Sequence, residues 1–513
     1  MKPFLKTSWV AIAAIIALSC IVLWPLARAG FYVTDDGEWM VIRLSAFYQS
    51  LREGQFPVRF LGRLNHSYGY PVPNFLYPGY LYIGSLLHLL GASFVDSVKL
   101  VMAAAVVGTA VIIFFWIRRS RSYVSALVGV ASFLFAPYLA FDLYVRGSVG
   151  EVLSLLPASL VFYAADANKK WILPIAFAAL ILSHNTLAFI FTGCFIAYTC
   201  YRRRWEALPF MFLGFGAAAF FWVPALLEKS LVVFDSIPIA NPLLYFASGE
   251  KIWLIGFPTV LAAVFLIFQT RHKKSGDTKF FLVLIVLTMF FATPMSFALW
   301  QYKPLASLVQ FPYRLLAVGL IAGPYLIASC WDSLPRRWRF VVCVGAIVIW
   351  IVPLSRTLGG VNYVRREEGY YTTNEATTTV ADEYMPRWVR VKPGKRADEK
   401  LTFVLGHGTV QYLTHSTQRI VANIVAAEDS TIQLNTLYYP GWGITIDDQT
   451  VPIRYDNSGG VMQVVVKSGH HTFLSEFRET ISRFIADAVS FVSVIVYIIG
   501  VIRYARQRQR RQT

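Results

Sequence analysis

The chain has 513 residues, of which 56% are hydrophobic, and its mean hydropathy is +0.52. A soluble globular protein of this size is less apolar, so a soluble fold is excluded. Several stretches hold about twenty apolar residues, which is the length that crosses a hydrocarbon core of about 30 Å. The composition therefore predicts a polytopic α-helical membrane protein, with the lipid bilayer as its main partner.

The formal net charge of +18 does not indicate a nucleic-acid partner. The Lys and Arg residues lie in short clusters between apolar segments, a distribution that sets membrane topology rather than forming a binding stripe. The five cysteines all fall inside apolar segments and lack the spacing of metal ligands. Neither a disulfide framework nor a zinc site is therefore predicted.

Twelve apolar segments are predicted to span the membrane. They lie at 9–29, 98–117, 123–141, 149–165, 171–183, 187–201, 207–226, 251–268, 279–298, 313–331, 339–355 and 484–502. The stretch at 75–90 is short and carries His88, so it is predicted to lie in the interface. Residues 171–201 are split at 183–186 into two short spans, and a re-entrant pair is the alternative. The first segment could also be a cleavable signal peptide.

The basic clusters determine the predicted topology. The positive-inside rule places all of them in the cytoplasm, together with Lys2 and Lys6. Both termini are then cytoplasmic, and we expect the membrane to be a prokaryotic plasma membrane. The clusters lie at 118–121, 169–170, 202–204, 271–274 and 336–339, and in the tail from Arg503.

The segments on the predicted outer face carry the polar residues of interest. They are 30–97, 142–151, 310–314 and 356–483. The first three belong to a transmembrane domain of residues 1–355, and residues 484–513 form the last span with its basic tail. Residues 356–483 hold alternating and β-branched runs separated by turns, so a small β-sandwich is predicted there. This domain could also be a lid or a binding module without chemistry.

A cluster of carboxylates, Asp35, Asp36 and Glu38, follows directly after the first span. Acidic groups at the water–lipid boundary are costly unless they bind or catalyse something. Residues 36–52 have helical periodicity and predict an amphipathic helix lying along the membrane, with the carboxylates at its N-terminal end. Helix capping would explain Asp36 alone, but not all three groups. No cofactor is expected, although the three carboxylates could hold Mg²⁺ or Mn²⁺.

Arginines on the predicted outer face are the second group of candidates, because the positive-inside rule predicts few of them there. Guanidinium groups suit a lipid phosphate, which accepts paired hydrogen bonds. Pairing to Asp142, Glu151 or the two Asp residues after the first span is the alternative. His184 with Asn185 is either a ligand site or a hydrogen-bonding pair at a helix break. The predicted substrate-binding residues are Arg314, Arg146, Glu151, His184, Arg43 and Arg59.

Short motifs are distributed over nearly the whole chain. They are Asp36-Gly37 with Arg43, the run from Leu51 to Arg59, Tyr68-Gly69-Tyr70-Pro71 with Tyr77-Pro78, Arg146-Gly147 with Glu151, Ser183-His184-Asn185, Gln310-Phe311-Pro312-Tyr313-Arg314, Glu383-Tyr384-Met385-Pro386 and Tyr439-Pro440-Gly441-Trp442. With a first span followed by an acidic outer loop, interfacial helices and many further spans, the chain resembles the GT-C class of integral-membrane glycosyltransferases. More narrowly, with these motifs it resembles the membrane family labelled "6-pyruvoyl-tetrahydropterin synthase-related". The pterin chemistry of that label does not fit, because no zinc-binding histidine triad is present.

The resemblance implies a polyprenyl-phosphate sugar donor, whose tail stays in lipid, and a glycan, lipid or protein acceptor. It implies Asp36, or alternatively Asp35, as the general base on the acceptor hydroxyl. Partial burial would raise the pKa of that base and help it accept the proton. Arg314 and Arg146 are expected to stabilise the leaving phosphate. The chain departs from the family at Met40, where members often carry a histidine.

Two other function classes compete with this hypothesis. A flippase or transporter of lipid-linked sugars needs polar groups deep inside several spans, whereas here most polar residues gather at the predicted outer ends. A non-catalytic protein of envelope assembly would explain Met40 and the large outer domain. It would explain the clustered Asp and Arg residues less well.

Overall fold

A computed structural model describes residues 2–237, 241–269 and 276–510 of the chain. The predicted basic cluster at 271–274 lies outside the described residues. The described chain is mostly helical, and its helices are α1 (Lys2–Leu23), α2 (Gly37–Arg52), α3 (Gly79–Leu89), α4 (Phe94–Ile117), α5 (Tyr123–Leu134), α6 (Pro137–Phe141), α7 (Val149–Asp166), α8 (Leu173–Ser183), α9 (Asn185–Tyr201), α10 (Leu208–Ala217), α11 (Ala219–Leu227), α12 (Phe257–Phe268), α13 (Gly276–Ala292), α14 (Phe297–Trp300), α15 (Lys303–Val309), α16 (Leu316–Ser333), α17 (Arg336–Gly359), α18 (Glu368–Thr373) and α19 (Ile481–Arg510).

Seven helical segments of the described chain are long and apolar enough to cross a membrane. They are Trp9–Ala27, Phe94–Ile117, Tyr123–Arg146, Val149–Asp166, Pro312–Ser333, Arg336–Gly359 and Ile481–Gln507. Their lengths of 18 to 27 residues match the hydrocarbon thickness. Seven of the twelve predicted spans therefore correspond to full-length helices, which confirms an integral membrane protein.

The other five predicted spans are helical but broken or short. Three are bent pairs, with angles of 72° between α10 and α11, 61° before α12, and 78° after α13. If each bent pair is one span, the number of spans in the described chain is ten. The remaining two are Lys170–Ser183 and Asn185–Tyr201, which are shorter than a full crossing. The predicted break at His184 is confirmed, because its extended backbone (φ −165°, ψ 122°) separates α8 from α9.

The first predicted outer loop carries the two expected helices. α2 begins after Asp36 and α3 occupies the centre of the 75–90 stretch. α2 is more deeply buried than the predicted interfacial helix. Most of it is enclosed by protein, including the polar residues Arg43, Ser45 and Ser50. α2 packs against α3, α4 and α18, so its periodicity is that of a helix inside the protein rather than one resting on a membrane surface.

The C-terminal region contains the predicted strands. Its strands are β2 (Tyr363–Val364), β3 (Leu401–Leu405), β4 (Gly408–His415), β5 (Arg419–Ala426), β6 (Ser430–Leu437), β7 (Trp442–Ile446), β8 (Gln449–Thr450), β9 (Val461–Val466) and β10 (Gly469–Phe477), and β1 is Phe31–Tyr32. One antiparallel sheet has the order β4-β5-β10-β7-β8 and another has β3-β6-β9. Buried apolar side chains of both sheets belong to one cluster, as a small sandwich requires.

The first loop and the β-rich region are interlocked. β1 pairs with β2 in an antiparallel register that joins Phe31 to Val364. Gly62 lies so close to Thr417 that a Cβ there would sit 2.4 Å from the Thr417 carbonyl oxygen. The residues of the first loop are consequently held between the membrane helices and the β-rich region.

Candidate active site

The backbone of Asp36 is fixed by the segment that follows α6. The Asp36 N–H donates to the Arg146 carbonyl oxygen at 3.0 Å, and the Asp35 N–H donates to the Val145 carbonyl oxygen at 3.1 Å. Residues 142–146 form one π-helical turn, which ends at Gly147 with a left-handed φ of +65°. A Cβ on Gly147 would lie 2.3 Å from Thr34 Oγ1, so the close approach of the two segments requires glycine.

The side chain of Asp36 does not cap α2. The Gly37 N–H instead donates to Thr34 Oγ1 at 2.9 Å, while Asp36, at the capping position, makes no side-chain hydrogen bond there. Within the described part of the chain its carboxylate has neither a hydrogen-bond partner nor an ion-pair partner. The capping interpretation is therefore wrong, and the carboxylate is available to a ligand.

Burial raises the pKa of Asp36 above its ordinary value. The guanidinium groups of Arg146 and Arg43 oppose this rise in pKa, while the negative charges of Glu151 and Asp35 add to it. Burial dominates, so the pKa of Asp36 moves in the direction expected for a general base.

Glu151, at the start of α7, is the centre of a buried charge cluster. Its Oε1 accepts from Arg146 Nη1 at 2.5 Å and from Arg314 Nε at 2.8 Å. Its Oε2 accepts from the Tyr138 hydroxyl at 3.2 Å, and His184 Nε2 lies 3.7 Å from Oε1. The four groups come from four separate elements, so this cluster joins the ends of the membrane helices at one point.

Arg146 and Arg314 are paired within the protein, as the alternative interpretation predicted. Arg146 Nη1 also donates to Asp142 Oδ1 at 3.0 Å, and Arg314 Nη1 donates to the Val309 carbonyl oxygen at 2.8 Å. Some of their donors remain available, because Arg146 Nε and Nη2 and Arg314 Nη2 make no hydrogen bond to the described residues. Each guanidinium group can therefore keep its internal pairing and still donate to an anion.

Arg43 lies on α2 one turn beyond Met40. Its Nε donates to Thr378 Oγ1 at 3.2 Å, its Nη2 donates to the Thr378 carbonyl oxygen, and its Nη1 lies 3.5 Å from the Tyr80 hydroxyl. The sulfur of Met40 lies 3.3 Å from Arg43 Nη1. Arg43 acts on Asp36 through its charge and is itself held by the β-rich region.

His184 has a structural role that the sequence left open. Its Nδ1 accepts from the Leu187 N–H at 3.2 Å and thus caps α9, and Asn185 Nδ2 donates to the Phe75 carbonyl oxygen at 2.9 Å. Because Nδ1 accepts, the proton of the neutral ring is assigned to Nε2, which faces Glu151. The hydrogen-bonding interpretation is confirmed, and the same ring also borders the charge cluster.

Arg59 lies outside this site, contrary to the prediction. Its Nε donates to Glu479 at 3.0 Å, its Nη2 to Asp487 at 2.8 Å, and its Nη1 to the Phe220 carbonyl oxygen at 2.5 Å. The side chain is 2% exposed. Every nitrogen that it could offer to a phosphate is used to join the first loop to α19, so Arg59 is a structural residue.

The three predicted metal ligands also separate. Glu38 accepts from Arg366 Nε at 3.2 Å and from the Tyr371 hydroxyl at 3.3 Å, which turns it away from Asp36. In the part of the chain that the structure describes, no three His, Cys, Asp or Glu side chains are grouped so as to hold a metal ion. Asp35 is exposed beside Asp36 and differs from it in burial.

Sequence reasoning missed several residues of the site. Tyr138, Thr34 and Thr378 contribute contacts, but a tyrosine or threonine near a span carries no signal of this kind. Thr378 is 335 positions from Arg43. The sequence predicted Glu151 as a substrate-binding residue and named Asp142 only as a pairing partner, whereas the structure shows Glu151 as the shared partner of both arginines.

An apolar cavity of about 600 Å³ lies between α5, α12, α16 and α17, which include membrane-spanning segments. Its wall includes Trp350, which also lines a small neighbouring cavity that reaches Tyr138. Tyr138 in turn donates to Glu151. Trp350 thus lies between the two cavities, and Tyr138 lies between the smaller cavity and Glu151.

Comparison with known proteins gives distant structural likeness only. No family model matches the chain, so the narrower family named from the sequence is not supported, and no curated protein matches it. Arabinofuranosyltransferase AftD from Mycobacteria is similar with 14% identity and a TM-score of 0.46, covering 68% of this chain and 26% of that one. ArnT from Cupriavidus metallidurans, bound to undecaprenyl phosphate, has 14% identity and a TM-score of 0.44, covering 71% and 68%. The chain thus spans about a quarter of AftD.

The oligosaccharyltransferase of Archaeoglobus fulgidus is similar with 11% identity and a TM-score of 0.40, over 72% of this chain and 56% of that one. All three are GT-C glycosyltransferases, the class that the sequence resembles. TM-scores below 0.5 do not establish a shared fold, and the activities of these proteins do not transfer to this chain.

Proposed function

We propose that the protein is a membrane glycosyltransferase. It moves a sugar from a polyprenyl-phosphate donor to an acceptor hydroxyl on the extracytoplasmic face, with Asp36 as the general base. The observation that carries the proposal is the unpaired, partly buried carboxylate of Asp36 beside the cluster of Arg146, Glu151 and Arg314. A base with a raised pKa next to donors for an anion is the combination that this transfer needs.

The reaction follows from these groups. The acceptor hydroxyl gives its proton to Asp36, and its oxygen forms a bond to the anomeric carbon of the sugar. The bond from that carbon to the phosphate oxygen breaks, and its electron pair leaves with the polyprenyl phosphate. Attack from the side opposite the leaving group inverts the configuration. Because a carboxylate is a weak base, holding the two reactants in line supplies much of the acceleration.

The leaving phosphate is stabilised by the available donors of Arg146 and Arg314. Their pairing with Glu151 fixes both guanidinium groups before the substrate arrives, and preorganised charge is more effective than charge that must reorganise. The two guanidinium groups supply the positive charge that faces the leaving phosphate, so the proposed reaction uses no cofactor. Activity is expected to survive EDTA.

The lipid part of the donor has a matching environment. The apolar cavity of about 600 Å³ is bordered by helices of the membrane bundle. An apolar cavity of this size can hold part of an isoprenoid chain. This arrangement favours a lipid-linked sugar over a soluble nucleotide sugar.

The experiment measures release of polyprenyl phosphate by the purified protein in nanodiscs, offered a panel of polyprenyl-phosphate sugars and envelope acceptors. Asp36→Asn is expected to abolish release while the protein keeps its thermal midpoint, since the carboxylate makes no internal hydrogen bond. Asp35→Asn, the matched neighbour, should retain most activity. Full activity of Asp36→Asn would overturn the proposal. Transbilayer movement of the lipid-linked sugar without transfer would favour a transporter instead.

A further inference from the structure

Basic side chains gather at the end of the membrane bundle that is opposite the Glu151 cluster. α7 begins beside Glu151 and ends at Asp166, and its 18 residues span about 27 Å. This length is close to the thickness of a hydrocarbon core, about 30 Å, so the two ends of α7 lie at opposite faces of the membrane. The basic side chains come from three separate segments, which are 166–170 after α7, 201–206 after α9, and 503–506 near the end of α19.

The folded chain brings these three segments together. Arg204 Nη1 donates to the Asp166 carbonyl oxygen at 3.1 Å, which joins the segment after α9 to the end of α7. The Trp171 ring, directly after the segment that follows α7, lies 6.2 Å from the Tyr504 ring of α19. A Cβ on Gly500 would lie 2.2 Å from the Trp171 ring, so this close contact with α19 requires glycine. The three segments therefore form one surface, although they are far apart in the sequence.

The acidic side chains at these segments do not neutralise the surface. Three of them are each paired with a basic side chain, and the pairs are Asp166 with Arg119 at 2.7 Å, Glu206 with Lys170 at 3.5 Å, and Asp277 with Arg202 at 2.7 Å. Five more basic side chains have no carboxylate partner within the described ranges. These five, which we call the basic surface, are Lys169, Arg203, Arg204, Arg503 and Arg506. All of them except the partly buried Arg204 are exposed.

Aromatic side chains indicate the depth of the basic surface in the membrane. Trp205 is 55% and Tyr504 is 50% exposed, and both residues adjoin its arginines in the sequence. Exposed tryptophan and tyrosine are typical of the boundary between lipid and water. The apolar segment of α19, Ile481–Gln507, has 27 residues and a length of about 40 Å, which exceeds the hydrocarbon core. Its last turns, with Arg503 and Arg506, consequently reach the level of the lipid headgroups.

We propose that the basic surface binds the headgroups of anionic phospholipids. Lipid phosphates are the anions closest to side chains at this depth, and a guanidinium group can donate paired hydrogen bonds to a phosphate. Basic side chains beside the ends of membrane helices each add to the attraction for anionic lipid. The exposed aromatic side chains favour lipid over an acidic protein or a nucleic acid, because they prefer the interface itself.

The bound lipids would hold the far end of the helix that carries the β-rich region. α19 begins at Ile481, shortly after β10 ends at Phe477, and it packs against α10 and α11. Lipid binding near Arg503 therefore fixes α19 at the membrane face opposite the β-rich region. This inference uses none of the residues of the proposed transfer reaction, and Asp36→Asn should keep the lipid affinity of the unmodified protein.

The test uses the full-length protein in a neutral detergent, titrated with phosphatidylglycerol or phosphatidylcholine and followed by microscale thermophoresis. Phosphatidylglycerol is expected to bind more tightly, and added salt should weaken its binding. Arg503→Gln combined with Arg506→Gln should weaken it about 25-fold, which is about fivefold for each arginine. The thermal midpoint without lipid should not change, since neither side chain makes a hydrogen bond to the described chain. Equal affinities of the unmodified protein for the two lipids would overturn the proposal.

The matched control is Arg336→Gln combined with Arg337→Gln. These two arginines are exposed and were predicted to lie at the same membrane face, but they belong to α17, which packs mainly against α6 and α12. Their replacement should leave the affinity for phosphatidylglycerol unchanged. Equal losses in the two double variants would show that any basic side chain at this face has the same effect, and would refute a specific site. Tighter binding of hexaglutamate or of a DNA duplex than of phosphatidylglycerol would refute the lipid as ligand.

Discussion

Arg314 Nε lies 2.8 Å from Glu151 Oε1, although the two residues are 163 positions apart in the chain. Their side chains are 5% and 0% exposed. The same oxygen of Glu151 accepts from Arg146 at 2.5 Å. One carboxylate thus contacts two buried guanidinium groups at the ends of three membrane helices, while Asp142 pairs with Arg146 alone.

Glu151→Ala should strongly destabilise the protein. Removing the shared carboxylate leaves Arg146 and Arg314 buried without their main counter-charge, and breaking a buried ion pair from one side costs about 3–5 kcal/mol. The measurement is the thermal midpoint of the purified protein in detergent. Glu38→Gln is the control, because its solvent-exposed pair with Arg366 is expected to contribute little to stability. Equal midpoints for the two variants would contradict the central role of Glu151.

Asp35→Asn should shift the pH profile of transfer. Asp36 acts as a base only when it is deprotonated, so kcat/KM is expected to rise with pH through a pKa above the ordinary value. The charge of Asp35 contributes to raising the pKa of Asp36. Its removal lowers that pKa, and the rising limb should move to lower pH. If the rising part of the pH profile is unchanged in Asp35→Asn, a group other than Asp36 controls the pH dependence of kcat/KM.

The helices and strands could largely be predicted from the sequence, because runs of apolar residues and alternating β-branched residues respond to local physics. Each predicted span overlaps a helix, and the alternating and β-branched runs predicted within 356–483 form strands such as β5, β6 and β9. The bends between α10 and α11 and around α12 and α13 were missed. Hydropathy measures the length of an apolar run and is insensitive to its direction.

The candidate site was predictable only in part. Asp36 was selected because acidic groups at the water–lipid boundary are costly. Arg146 and Arg314 were selected because the positive-inside rule predicts few arginines on the outer face, and the structure brings both to one carboxylate. Arg59 met the same criterion but pairs with Glu479 and Asp487, more than 400 positions away. The sequence contains the charges but not the pairing, because pairing depends on contacts that only the folded chain creates.

Arg59→Gln should lower stability without changing the chemistry. Arg59 joins the first loop to α19 and to the Phe220 carbonyl oxygen, so its loss leaves three acceptors without their donor. We expect a loss of about 3 kcal/mol in unfolding free energy and an unchanged pH profile of kcat/KM. Arg52→Gln, an exposed arginine of the same loop, is the control and should be neutral. A raised KM for the lipid-linked donor in a stably folded Arg59→Gln would restore its predicted role in binding.

Gly147→Ala should impair turnover by displacing Asp36. The backbone at Gly147 has φ +65°, and a Cβ there would lie 2.3 Å from Thr34 Oγ1 and 3.2 Å from the Gly37 Cα. The segments that carry Asp36 and Arg146 must then separate, which removes the alignment of base and leaving group. We expect kcat to fall at least about tenfold, with a smaller change in KM. Gly193→Ala is the control, since nothing lies within 4 Å of a Cβ at that position.

Lys400→Met should change how stability depends on pH. Burial, assisted by the charge of Arg396 and opposed by that of Glu375, lowers the pKa of Lys400 from 10.5 to about 7. Between these values the unfolded chain binds a proton that the folded chain does not, so folded stability rises with pH above about 7. Below pH 7 both states are protonated and this contribution is constant. From pH 7 to 9 the rise amounts to at most about 2 kcal/mol.

The measurement is the thermal midpoint at pH values from 6 to 9 for the unmodified protein, Lys400→Met and Lys467→Met. Lys400 Nζ donates to the carbonyl oxygens of Ser67 and Asn435 at 2.6 and 2.9 Å, so its replacement lowers the midpoint at every pH. The informative quantity is the slope, which Lys400→Met should reduce. Lys467 is exposed and pairs with Asp429, so Lys467→Met should keep the slope. A slope above pH 7 that survives in Lys400→Met would mean that a different group releases the proton.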